Sequence, residues 1–177
     1  MADISQSSLS RRAVLIFGGA GLLAACGGTT EAEPAAPVMF DVDPDTVDWQ
    51  ALSEEEWRSR LSDAAFRVLR REDTERAFTS PLHDEKRPGI YHCAGCDLAL
   101  FDAAKKFDSG TGWPSFWDHL PGALATKPDN KLWMQRTEYH CVRCGGHQGH
   151  VFNDGPAPTG QRWCNNGVAL TFRPSTA

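Results

Sequence analysis

A mainly β, loop-rich domain preceded by short helices is the fold class this sequence predicts, on three observations. Sixteen glycines and 11 prolines divide 177 residues into short runs. Val168, Leu170 and Phe172 alternate with Ala169, Thr171 and Arg173, the period of a strand. Helix-start signals cluster between Ser53 and Asp63. Lys and Arg total 18 against 23 Asp and Glu, a net charge of −5, so the chain lacks the basic excess of a general nucleic-acid binder. No apolar run reaches the roughly 18 residues of a membrane-spanning helix.

Taken in order, residues 1–25 have the form of a signal peptide. Ser10-Arg11-Arg12 precedes an apolar stretch from Ala13 to Ala25, a charged region followed by a hydrophobic one. The paired arginines resemble a twin-arginine export signal, with Val14 at the usual phenylalanine position. Leu23-Ala24-Ala25-Cys26 resembles a bacterial lipobox, so cleavage before Cys26 and lipidation of its thiol are expected. A plain secretory signal is the alternative. Residues 26–52 hold Pro34, Pro37, Pro44 and six acidic residues without Lys or Arg after Cys26, the composition of a solvated tether. The expected place is the cell envelope or periplasm, anchored by lipid to a membrane.

The globular domain is expected over residues 53–177. Ser53-Glu54-Glu55-Glu56 is a capping-box pattern, and Trp57 and Leu61 follow on one helix face. Ser62 or Asp63 can cap a second helix that turns Phe66, Val68 and Leu69 inward. Beyond Thr74, strands are expected at Ile90–His92, Leu98–Leu100, Leu132–His140 and Val168–Arg173.

Cys93-Ala94-Gly95-Cys96 and Cys141-Val142-Arg143-Cys144 are separated by 44 residues. Each Cys-x-x-Cys unit brings two thiolates to one tetrahedral ion at about 2.3 Å, and two units complete a structural zinc site. Two disulfides are one alternative. A local site of Cys141, Cys144, His147 and His150 is another. Export by the twin-arginine route carries folded proteins, so the metal could be loaded in a reducing compartment first. With Cys26 lipidated and four cysteines on metal, Cys164 remains. His147, His150 and Asn166 supply the partners that a thiolate nucleophile uses, although a lone cysteine is also a common core residue.

The segment Phe107-Asp108-Ser109-Gly110-Thr111-Gly112-Trp113-Pro114-Ser115-Phe116 resembles a signature of the B-type peptide-methionine sulfoxide reductases. So do Arg143 to Phe152, Asp154 to Gly160, and Thr74 to Thr79, and the resemblance runs over about residues 53–174. It implies two antiparallel sheets with N-terminal helices and a zinc site away from the active site. It implies that Cys164 attacks the sulfur of a methionine R-sulfoxide, releases methionine and becomes a sulfenic acid. In that scheme His147, His150 and Asn166 supply donors to the oxygen. The indole of Trp113 walls the S-methyl group and Phe152 completes the pocket. Phe116 and Trp117 are read as core.

Many family members carry a resolving cysteine where this chain has Thr111, so an external thiol, small or thioredoxin-like, is the expected reductant. Trp163 and Gly167 replace common Tyr and Ser beside the nucleophile, departures that bear on fine substrate preference and not on the reaction. Oxidised proteins in the envelope are the expected substrate, free methionine sulfoxide a further one, and the chain is expected to act as a monomer. Two other functions compete: a zinc-stapled, lipid-anchored binding module, and a thiol–disulfide oxidoreductase that uses the Cys-x-x-Cys pairs. Zinc content, thiol titration and activity in Cys164→Ser separate the three.

Overall fold

Two helices open the domain because their ends are capped by side chains. Residues 43–131 and 135–176 are described in the computed structural model. The expected signal segment and Cys26 lie outside the described residues. In α1 (Glu54–Arg60), Ser53 accepts the Glu56 N–H while Glu56 reaches back to the Ser53 N–H at 2.8 Å, closing the expected capping box. The second helix, α2 (Asp63–Arg71), starts at the Ser62 cap and ends at Glu72, whose backbone is left-handed. It buries Ala65, Phe66, Val68 and Leu69. No helix among the described residues is long and apolar enough to cross a membrane.

The rest is mainly β, in two antiparallel sheets. The smaller has the order β2 (Ala99–Asp102), β1 (Gly89–Cys93), β9 (Leu170–Pro174). The larger runs β3 (Lys106–Phe107), β4 (Ser115–Phe116), β8 (Arg162–Asn165), β7 (His147–Phe152), β6 (Arg136–Cys141), β5 (Leu124–Asp129). Expected strands match β1, β2, β6 and β9. A 3-10 turn at Gly167–Ala169 takes the front of the expected last strand. Of the expected strand from Leu132, residues 132–134 lie outside the described residues.

Aromatic rings fill the space between the sheets. Phe101 stacks on Phe116 at 4.2 Å between centroids, and Tyr91 meets Phe116 at 5.0 Å. Tyr139 meets Trp163 edge-on at 4.9 Å. Such contacts add about 0.5–1.5 kcal/mol each beyond area burial. Because Phe116 pairs with Trp163 and Ser115 with Cys164, alternation puts Phe116 and Trp163 on the core face and Ser115 and Cys164 on the other.

One boundary needs correction. The acidic tether was expected to run to residue 52, yet Trp49 is buried and packs on Trp57 at 6.0 Å. Its indole N–H donates to Pro44 O at 2.7 Å, and Asp45 pairs with Arg143 at 3.0 Å. The packed domain therefore includes part of the acidic segment. Composition concealed this because one buried tryptophan outweighs several solvated carboxylates.

Candidate active site

Cys164 sits in β8 with neighbours on both sides. Ser115 of β4 is its partner in one ladder, and His150 of β7 in the other. His150 pairs in turn with Glu138 of β6, and Glu138 with Lys127 of β5. Ser115, Cys164, His150, Glu138 and Lys127 thus form one row across five strands, on the face turned away from the aromatic core.

His147 joins this face through a bulge. Two residues three apart in a regular strand point to opposite sides. Here Tyr139 pairs with Gly149 and His140 with His147, so Gln148 is an extra residue in β7. Such a bulge re-aims the chain, and the His147 and His150 rings lie 5.5 Å apart. Each ring is held by a carboxylate. His147 Nδ1 is 2.7 Å from Glu138 Oε1, and His150 Nε2 is 2.7 Å from Asp129 Oδ2. Burial lowers the His150 pKa more than the Asp129 bond raises it. Asp129 is held well below the usual carboxylate range by the Lys131 backbone N–H, His150 and Arg136.

The half-buried thiol has a polar setting on its other side. Burial pushes the Cys164 pKa up, while the Arg162 charge and the hydroxyls of Thr111 and Ser115 oppose that rise. The net direction is upward, so the resting group at neutral pH is a thiol. Ser109 Oγ links Thr111 Oγ1 at 2.8 Å to Ser115 Oγ at 2.7 Å. Arg162, two residues along β8 from the thiol, is gripped by Asp154 through two 2.9 Å bonds. Its guanidinium carbon lies 4.3 Å from the Phe152 ring centre, and Phe152 pairs with Arg162 on the thiol face.

Trp113 and Asn166 are tied to the segment before β1. The Trp113 indole N–H donates to Glu75 O at 3.1 Å, leaving the ring half-buried. The Asn166 amide oxygen accepts the Glu75 N–H at 3.0 Å, and its nitrogen donates to Gln148 O at 3.0 Å. Asn166 is therefore built into the frame that fixes the bulge. The Glu75 carboxylate caps the Gly167 and Val168 N–H groups. A Cβ on Gly167 would lie 2.0 Å from Ser80 Oγ, so this position has no room for a side chain.

The four other domain cysteines form a separate cluster with all their sulfurs within 4.8 Å of one another. Cys93 and Cys144 sulfurs are 3.7 Å apart, and those of Cys96 and Cys141 3.5 Å. A tetrahedron with metal–sulfur bonds of about 2.3 Å has edges of about 3.8 Å, whereas a disulfide is about 2.05 Å. All four thiols are buried and unpaired, so the donor set fits a structural metal. Each knuckle turns through a left-handed residue, Asp97 at φ 62° and Gly145 at φ 68°. Cys93 ends β1 and Cys141 ends β6, so the cluster clips the two sheets together. His147 and His150 turn to carboxylates, against the local site with Cys141 and Cys144. Gln148 Nε2 donates to Cys93 Sγ at 3.3 Å, so the bulge residue touches the metal cluster too.

The SelR domain model matches residues 61–174. The chain belongs to the SelR family. A relative named peptide methionine sulfoxide reductase MsrB from Methanosarcina barkeri is 49% identical over 122 residues, covering 68% of this chain and 86% of the relative. One of the same name from Pseudomonas putida is 50% identical over 121 residues, covering 68% and 91%. Peptide methionine sulfoxide reductase B1, chloroplastic, of Arabidopsis thaliana is 47% identical over 124 residues, covering 70% and 61%.

Trp163 is adjacent to Cys164 in sequence but faces the core, against Tyr139 and His119. It does not share the face of the thiol. Sequence reasoning passed over Glu138, Asp129, Arg162, Ser115 and Gln148 as site residues. Of these, Arg162 carried a signal, because two residues along a strand is the same face. The others depend on cross-strand register.

Proposed function

We propose that this chain reduces peptide methionine R-sulfoxide to methionine, with Cys164 as the atom acceptor and a thiol as final reductant. The observation that carries the assignment is the row of Ser115, Cys164 and His150, with Thr111 and Arg162 at the same thiol. The other four domain thiols are gathered elsewhere. Family membership supports the same reaction.

The resting thiol keeps its proton until substrate arrives. Attack by its sulfur on the sulfoxide sulfur weakens the S–O bond. Oxygen passes to the Cys164 sulfur and the thiol proton ends on that oxygen. The methionine sulfur is reduced by two electrons and the cysteine sulfur oxidised by two, giving thioether and sulfenic acid. His147 and His150 hold and return the proton in transit. Arg162, Thr111 and Ser115 stabilise the thiolate as it forms. Trp113, fixed through Glu75, and Phe152, fixed under Arg162, supply the apolar walls for the S-methyl group. Asn166 acts as a positioning residue through Gln148 rather than as a donor.

Threonine at position 111 forms no disulfide, so recycling uses an external thiol, small or thioredoxin-like, through a mixed disulfide. Zinc is the metal best matched to four thiolates, as a structural ion that staples the sheets. Export by Arg11-Arg12, lipidation at Cys26 and repair of oxidised envelope proteins complete the reading. They rest on residues 1–26 of the sequence.

The test is turnover of a peptide methionine R-sulfoxide with dithiothreitol. Wild type should form methionine, and Cys164→Ser should form none while retaining its metal. Undiminished turnover in that variant would contradict the assignment.

A further inference from the structure

The nitrogen of His147 that meets no protein group is a feature the proposed reaction leaves unexplained. His147 is buried, at 2% exposure. Its Nδ1 lies 2.7 Å from Glu138 Oε1, but its Nε2 is buried with no hydrogen-bond partner. The neighbouring histidine differs: His150 spends its Nε2 on Asp129.

Glu138 is as buried as His147 and is shared. Its second oxygen is 3.1 Å from His140 Nδ1 and 3.9 Å from Lys127 Nζ. Burial would push the Glu138 carboxyl up, but its contacts to His147, His140 and Lys127 outweigh this and hold it below its ordinary value. An ionised carboxylate only accepts hydrogen bonds, so His147 must carry a proton on Nδ1. In a neutral ring Nε2 is then an acceptor, and in the imidazolium it is a donor. The bulge at Gln148 brings that ring to the face of His150, which stands opposite Cys164.

We propose that Glu138 is a positioning residue for the reduction step, fixing the tautomer and direction of His147 so that Nε2 is presented to the oxygen leaving the sulfoxide. The inference rests on the reduction reaction proposed above. Glu138 touches neither the substrate nor the thiol. The proton balance is unchanged by it: the thiol proton passes through Nε2 and ends on the sulfenic oxygen. Nε2, which no protein group engages, is then the ring atom that meets the substrate oxygen.

The tautomer can be read without any variant. In full-length, metal-loaded wild type labelled with 15N-histidine, long-range 1H–15N correlation should place the proton of neutral His147 on Nδ1. Glu138→Gln should shift His147 toward the other tautomer and lower kcat by about tenfold to a hundredfold, with KM within about twofold. Glu138→Asp should restore part of the rate. Cys164→Ser should abolish turnover yet leave the wild-type His147 signature, which separates failure of the reaction from failure of the positioning role. A wild-type His147 with its proton on Nε2 would overturn the proposal, even if Glu138 variants fail to fold. So would wild-type kcat in Glu138→Gln.

Discussion

Cys164 and His150 are direct partners in the β7–β8 ladder, so their Cβ atoms stand about 4.5–5.5 Å apart on one face. Neither can move relative to the other without breaking strand pairing. The pair is built on sheet rather than on loop, which gives the thiol and the imidazole a fixed separation.

That pairing makes Gly149 a sensitive position. A Cβ there would lie 1.9 Å from the carbonyl oxygen of Cys164. Gly149→Ala should cost at least about 1–3 kcal/mol of stability and lower kcat strongly in the fraction that folds. Thermal unfolding and steady-state kinetics measure both. Unchanged values would mean the two strands are not held as described.

The pH dependence of the thiol follows from its raised pKa, caused first by burial. A raised acid pKa means less thiolate at any given pH below it. Alkylation of Cys164 by iodoacetamide in resting enzyme should be slow at neutral pH and still rising above pH 9, the ordinary value. Arg162→Met removes a group that favours the thiolate, so it should move the profile further up. A plateau below about pH 8, under the ordinary thiol value, would contradict this setting.

Metal and active site should fail together. Gln148 donates its amide N–H to Cys93 Sγ at 3.3 Å, and its amide oxygen accepts the side-chain N–H of Asn165, the residue after Cys164, at 3.3 Å. Gln148→Ala should weaken metal affinity by about tenfold to a hundredfold and lower kcat. Replacing Cys93, Cys96, Cys141 or Cys144 should reduce metal content and melting temperature together, because metal affinity at such a site is folding free energy. Chelator titration with elemental analysis and calorimetry reads both.

The helices and the four-cysteine cluster were legible because their signals are local or chemical. Ser53 and Ser62 announce their caps within three residues. Cys-x-x-Cys states its donor set outright, whereas a role for Cys164 came only with the family resemblance of the segments around it. What could not be read depends on register. His147 and His150 share a face only because Gln148 is an extra residue, and Glu138 and Asp129 reach them from strands whose pairing no local pattern sets. Trp163 is next to Cys164 in sequence, but alternation sends it to the core.

Trp49 tests the corrected domain boundary. Trp49→Ala should destabilise the domain by about 3–5 kcal/mol, read from denaturant unfolding. A chain starting at Ser53 should be destabilised similarly. Equal stability of these proteins and the wild type would return residues 43–52 to the tether.

Mass spectrometry after a single turnover without reductant tests the central claim most directly. Wild-type enzyme mixed with a peptide methionine R-sulfoxide should yield one methionine per chain. Cys164 should carry one added oxygen, trapped by dimedone, with the four metal cysteines unchanged. An intramolecular disulfide from Cys164, or methionine formed while Cys164 stays reduced, would contradict the account.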